Sequence, residues 1–236
     1  MITGEIHNQS SRDPFKEPIY YSSEVARFVK ITPTRVARWL KGYEYIYSAQ
    51  RVSKPPVIKQ KDKTYVYEGY ASFYDLIELL FIKNFLAYGI SLQKLRKAFD
   101  EAKEILEVSH LAHQVFFTDG KYICLFILTE DVLLELLSGG QLAIKNIIEE
   151  LAHQIDFDKV TKLACRWYPP EGNNIVVLDP LVSFGKPVIR NKGITTENVY
   201  DLYIAEGEKA KPVCSWFDLT QEELRAAINF QTQLVA

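Results

Sequence analysis

Apolar positions near the start of the chain recur at helical spacing and define two short helices. Val25, Ala26, Phe28 and Val29 follow Ser22 and Ser23, either of which offers an N-cap oxygen. Lys30-Ile31 reads as a tight turn. Thr32 then caps a second helix, with Pro33 at its first position, where a missing N–H costs nothing. In that helix Val36, Trp39 and Leu40 face inward, Thr34, Arg35, Arg38 and Lys41 face outward, and Gly42 ends it. Val57-Ile58 and Thr64–Tyr67 read as two strands around a polar tip that carries Lys59, Lys61 and Lys63. From Phe73 to Tyr88 the pattern is apolar on nearly every side, which requires burial of a whole helix. Gly89 stops it, and Ser91 opens another helix with Leu92, Leu95, Phe99, Ala102 and Leu106 on one stripe.

Further along, Val115–Phe117 and Tyr122–Phe126 flank Thr118-Asp119-Gly120-Lys121, a hairpin signal. Helices are predicted over Glu130–Leu137 and about Gln141–Gln154. Short strands are predicted at Ile175–Leu178 and Val188-Ile189, on either side of Asp179-Pro180 and Gly185. Thr195 or Thr196 caps a helix whose buried face is Val199, Leu202 and Tyr203, closed by Gly207. Thr220–Glu223 (TQEE) is a capping box, and Leu219 is placed to staple onto Leu224. Ser22–Gly42 and Thr195–Gln231 therefore read as two helix-turn-helix units in a chain that is mainly α with small β elements.

Charge sharpens this picture. The 236 residues carry a net charge of −2, but residues 1–70 hold 12 Lys+Arg against 7 Asp+Glu, and the rest hold 16 against 23. The first 70 residues are thus +5 and the remainder −7. A cationic surface confined to one module is what tracking of phosphates needs. On a short capped helix, Arg35 and Arg38 are placed to bridge guanine edges in a major groove while Thr34 and Lys41 hold phosphates. The wing lysines Lys59, Lys61 and Lys63 extend the same surface.

Catalytic chemistry has weak support. His110 and His113 have metal-ligand spacing but no matching carboxylate or cysteine pair. Gly139-Gly140-Gln141 is similar to the tripeptide of peptide-chain release factors, yet it sits between two apolar helices, where glycines serve as helix ends. Cys165 and Cys214 lack the histidine context of a catalytic thiol. The reading is non-enzymatic, with no metal and no cofactor. Three widely spaced cysteines suit a reducing cytoplasm. No signal-peptide core opens the chain, and no apolar run approaches a membrane span.

The order helix-turn-helix, wing, then YASFYDLIELLFIKNFLAYGISLQKLRKAF resembles the winged-helix domain of MerR-type regulators, over roughly Tyr20 to Leu106. The resemblance implies DNA contact by the helix Pro33–Lys41 and the wing, in a dimer. The stripe on the helix after Ser91 and the apolar side of the last helix around Leu224 and Ile228 are candidate dimer seams. The line VVLDPLVSFGKPVIRNKGITTENVYDLYIAEGE, followed by WFDLTQEELRAAINFQ, resembles a small domain of bacterial VapB-type antitoxins. Phe184 stands where that pattern has the first of two glycines, and Asn191-Lys192-Gly193 replaces its usual G-t-R.

Taken together, the resemblances imply a flexible lead-in (1–19), a MerR-like winged-helix domain (20–107), an α+β middle region (108–170) and an antitoxin-type helix-turn-helix domain (171–236). They imply a DNA-binding antitoxin that binds double-stranded operator DNA, represses its own operon and neutralises a PIN-like ribonuclease toxin. Arg190, Lys192, Lys209 and Lys211 are the candidate toxin-binding cations. The alternative is a MerR-like, ligand-responsive transcription regulator with no toxin partner.

Overall fold

The computed structural model describes residues 13–58, 69–87, 89–105, 107–108, 110–114 and 149–235. The elements are β1 (Tyr20–Tyr21), α1 (Ser22–Val29), α2 (Pro33–Lys41), β2 (Tyr43–Tyr47), β3 (Gln50–Lys54), β4 (Tyr70–Ala71), α3 (Phe73–Ala87), α4 (Leu92–Ile105), β5 (Ile155–Phe157), β6 (Ala164–Trp167), β7 (Val176–Val177), β8 (Val188–Ile189), α5 (Thr196–Ala205), α6 (Ala210–Phe217) and α7 (Gln221–Val235). The strands form four antiparallel pairs, β1–β4, β2–β3, β5–β6 and β7–β8. Helices with small strands is thus the architecture. Among the described residues no helix is long and apolar enough to cross a membrane.

The start of α1 differs from the expected serine cap. Tyr21 is the N-cap, and its N–H donates to the Glu24 carboxylate at 2.8 Å. The Ser22 hydroxyl instead donates to the Gly69 carbonyl at 2.8 Å, tying α1 to the approach of β4. Lys30 takes the left-handed conformation that lets α2 follow at once. Residues 13–19, expected in a flexible lead-in, are held by packing. Phe15 lies edge-on to Phe73 and stacked on Tyr74, and Ile19 packs against the core.

α3 is the centre of that core, with Leu76, Ile77, Leu79, Phe81, Ile82 and Phe85 fully buried. α1 and α2 cover it, and so does α4 through Leu95 and Phe99. The α4 stripe is therefore used within its own chain and is not a dimer seam. The same core takes in Ile155, Ala164 and Trp167 of β5–β6, Val176 and Leu178, and Ala226 and Phe230 of α7. β5–β6 was not anticipated. Its connection is a turn in which the Asp158 carboxylate accepts from the Val160 and Thr161 N–H groups, which holds that carboxyl below the ordinary range. Trp167 then bridges to Leu178, joining this pair to β7.

The C-terminal helices α5, α6 and α7 enclose a second cluster of Ile189, Val199, Val213, Leu219, Leu224 and Ala227. Thr195 caps α5 by accepting from the Asn198 N–H. At α7 the capping box forms as read: the Thr220 N–H donates to Glu223 at 2.7 Å, and the Glu223 N–H donates to the Thr220 hydroxyl at 3.2 Å. Thr220→Ala should cost about 1 kcal/mol in a denaturant titration. No change in the unfolding midpoint would mean that α7 is held by packing alone.

The expected hairpin at 115–126, the helices at 130–137 and over the first part of 141–154, the Gly139-Gly140-Gln141 tripeptide and Leu106 lie outside the described residues. So do Lys59, Lys61, Lys63 and Thr64–Tyr67.

Candidate nucleic-acid interface and partner surface

α2 presents its two sides as the periodicity requires. Val36, Trp39 and Leu40 are buried, and Thr34, Arg35, Arg38 and Lys41 are exposed. The Thr32 hydroxyl accepts from the Arg35 N–H at 3.3 Å, so the first turn is capped by the residue just before Pro33. The helix carries no acidic residue. Its unsatisfied N-terminal amides and its basic outer side give it the polarity of an anion-facing element.

The hairpin beside α2 is not where the sequence pattern put it. Val57 and Ile58, expected as a strand, are buried in a bend, with the Val57 N–H donating to the Trp39 carbonyl at 2.8 Å. The strands are Tyr43–Tyr47 and Gln50–Lys54, paired in regular register from Tyr43↔Lys54 to Tyr47↔Gln50. Ser48 and Ala49 both have positive φ at the turn, the geometry that matches the twist of a two-residue hairpin. Gly42 joins α2 to this hairpin at φ 77° and ψ −175°, with its Cα facing the Lys54 carbonyl and the Pro55–Pro56 backbone.

Side chains link helix and hairpin. The Arg38 guanidinium lies 4.9 Å from the centre of the Tyr43 ring, and Tyr43 stacks on Tyr45 at 6.0 Å. Arg51 lies 3.6 Å from Glu44 across the strands. Arg35, Arg38, Lys41, Arg51 and Lys54 thus share one protrusion with a single carboxylate.

The C-terminal cations divide. The Arg190 guanidinium lies over the Tyr168 ring at 5.2 Å. The Lys192 ammonium is bound to the Asp218 carbonyl and carboxylate, pinning the loop after β8 to the end of α6. Lys209 and Lys211 are exposed. Lys211 borders an open groove with Ala210, Cys214, Ser215, Leu219 and Gln221, and Trp216 on the same helix is 79% exposed.

α7 occupies the place of a second recognition helix, yet two of its sides are covered. Leu224 and Ala227 face the C-terminal cluster, and Ala226 and Phe230 enter the main core. Its first turn is acidic, with Glu222 and Glu223. Leu224 is buried and Ile228 packs in the same cluster, so this second candidate dimer seam is also spent internally.

The residues weighed for catalysis have structural surroundings. His110 is buried, with Nδ1 3.7 Å from the buried Glu78 carboxylate and its ring against Tyr74. Glu78 also accepts from the Leu111 N–H at 2.9 Å. His113 pairs through its backbone with Leu163, and burial lowers its pKa. Burial raises the Cys165 thiol, the direction opposite to that of a nucleophilic thiolate. Among the described residues no three His, Cys, Asp or Glu side chains are grouped to hold a metal.

A polar cluster that the sequence did not signal lies at β6. Arg166 donates to Asp179 at 2.7 Å, and the Tyr168 hydroxyl donates to Asp156 at 2.8 Å. Asp179 also accepts from the Leu181 N–H, which shapes the turn that displays Phe184. Phe184 is 86% exposed at φ 55°. Beside it the Tyr20 hydroxyl donates to the Gly185 carbonyl at 3.0 Å. A left-handed side chain in full contact with water has strain and no burial to offset it. Phe184→Gly should therefore raise stability by about 0.5–1 kcal/mol net of the added chain entropy. A lowered unfolding midpoint would show that Phe184 has a packing role.

The comparisons follow the same division. A family model described as "Protein of unknown function (DUF433)" matches residues 176–230, the stretch from β7 to α7. A protein of Mycobacterium tuberculosis named "Putative antitoxin VapB45" is 26% identical over 227 residues, covering 91% of this chain and 94% of that protein. The crystal structure of Rv2018 from Mycobacterium tuberculosis superposes with a TM-score of 0.68 at 21% identity, over 91% of this chain and 99% of that one. The chain therefore shares its fold with that crystal structure over nearly its whole described length, and its sequence is similar to that of the mycobacterial protein from end to end.

Proposed function

We propose that this chain is the antitoxin of a type II toxin–antitoxin pair. It binds double-stranded operator DNA through α2 and the adjacent hairpin, represses its own operon, and neutralises a PIN-like ribonuclease. The observation that carries the reading is the similarity to the mycobacterial protein named as an antitoxin, which runs across 91% of this chain and is not confined to the C-terminal segment. The capped, acid-free α2 with its basic outer side supports the DNA half. In this reading residues 20–107 act as a MerR-like winged helix, with β2–β3 as the wing. The three C-terminal helices are a helix-turn-helix domain turned to protein binding, because α7 is covered by the rest of the chain. Two copies on two half-sites would supply the contact that one short helix lacks.

Of the four candidate toxin-binding cations, Lys209 and Lys211 are the pair free to reach a carboxylate-lined nuclease site. Lys192 and Arg190 shape the platform behind them. An exposed ammonium offered to carboxylates that hold a divalent ion silences the site without chemistry from the inhibitor. The test is to co-express the full chain with the nuclease encoded beside its gene. Growth should be rescued by the wild-type chain and weakened in Lys209→Glu/Lys211→Glu, while DNA binding persists. Failure of the wild-type chain to rescue growth, or to bind the nuclease in a pull-down of the purified pair, overturns the antitoxin reading.

A further inference from the structure

The distal half of the β2–β3 hairpin exposes apolar surface beyond anything its own fold requires. Ile46 is 79% exposed, Tyr47 69% and Tyr45 40%. Tyr43, Tyr45 and Tyr47 share one side of the ribbon, while Glu44 and Ile46 share the other, opposite Ser53 and Arg51. The Arg38–Tyr43–Tyr45 stack runs out from α2 along the first side, so the ribbon is braced against the helix.

Length and charge then decide what the tip can reach. Five residues at about 3.3 Å each carry the tip roughly 16 Å beyond the end of α2. A major groove is about 12 Å wide, so a tip braced to a helix lying in it passes over the phosphate backbone to the neighbouring minor groove. Arg35, Arg38, Lys41, Arg51 and Lys54 surround the protrusion, and Glu44 is held by Arg51. A second copy placed against this surface would set these cations against their own equivalents, which disfavours self-pairing. Duplex phosphates complement them.

We propose that Ile46 and Tyr47 form a wedge that enters the minor groove beside the site of α2, opens a base step and bends the duplex. The proposal rests on the DNA reading given above and adds a deformation that α2 alone does not imply. Apolar side chains inserted between base steps unstack them and kink the helix away from the minor groove. Sequences rich in flexible pyrimidine–purine steps at that position would be preferred without any contact to a base edge.

The experiment uses the full chain and short duplexes tiling the region upstream of its own gene. Binding is read by fluorescence anisotropy. Bending is read by gel mobility of equal-length fragments in which the tightest site is moved from end to centre. The wild-type complex should run slowest with the site at the centre. Ile46→Ser/Tyr47→Ser should lose this position dependence while losing less than about tenfold in affinity, because the unstacking cost disappears with the contacts. Both side chains are exposed, so the thermal midpoint should not move.

Position-independent mobility of the wild-type complex, or an undiminished bend in the double variant, overturns the wedge and leaves the DNA reading standing. Absence of salt-dependent binding to any upstream duplex overturns both. A double variant that changes from dimer to monomer in light scattering without DNA, or that fails only to bind the nuclease, assigns the tip to a protein interface and overturns the wedge.

Discussion

Gly42→Ala should destabilise the protein by about 3–4 kcal/mol and lower the melting temperature by about 10 °C. Two causes add. The φ 77°, ψ −175° conformation of Gly42 lies in a region that is essentially restricted to glycine. A Cβ there would also stand 2.5 Å from the Lys54 carbonyl and 3.0 Å from the Pro56 nitrogen. Both neighbours are backbone, so no rotamer change relieves the contact, and the hairpin must shift relative to α2. Circular dichroism melts check the stability. A variant that melts like the wild type would mean that the chain between Lys54 and Pro56 yields freely, and the bracing of the hairpin would then be overstated.

On DNA, the largest effect is expected from Arg35→Ala combined with Arg38→Ala. Each lost base-edge contact costs about 1–3 kcal/mol, so the double variant should bind the upstream duplex at least about 30-fold more weakly. The two residues differ in kind. Arg35 is exposed on the first turn of α2, so its removal reports on DNA contact alone. Arg38 also packs on Tyr43, and its removal should additionally loosen the hairpin. Titrations at two salt concentrations separate these effects, because each lost phosphate contact flattens the salt dependence by about one charge. Unchanged affinity in the double variant would move the DNA site away from α2.

How far the sequence reveals this molecule depends on the range of the interactions. α2 was legible in full, since its cap, its proline and its buried residues all lie within nine positions. The capping box of α7 was legible for the same reason. The β2–β3 hairpin was not. Its turn, Ser48-Ala49, lacks the glycine or asparagine that marks a tight hairpin, and the lysines at 59–63 drew the wing downstream. β5–β6 was missed because Ile155–Phe157 directly follows apolar helical spacing, and three residues give too little alternation to signal a strand.

The candidate site shows the same limit. Exposure of Arg35 and Lys41 follows from helix period. The engagement of Lys192 by Asp218, 26 positions away, and the covering of α7 by the N-terminal core are tertiary events that no local pattern encodes. Phe184 was visible as a departure from a glycine-bearing pattern, but only its left-handed backbone shows what that departure costs.

The entry of Phe230 and Ala226 into the core built on α3 has a consequence for synthesis. α1 and α7 touch across about 200 residues of intervening chain, and a ribosome adds about 5–20 residues per second. For roughly 10–40 s after α1 leaves the ribosome, the surface that α7 will cover is open to water. During that interval the nascent chain is a substrate for chaperones and proteases in a way that the finished protein is not. Maturation is gated by the last helix to be made, so the supply of folded protein falls as soon as elongation slows, before any mature copy has unfolded.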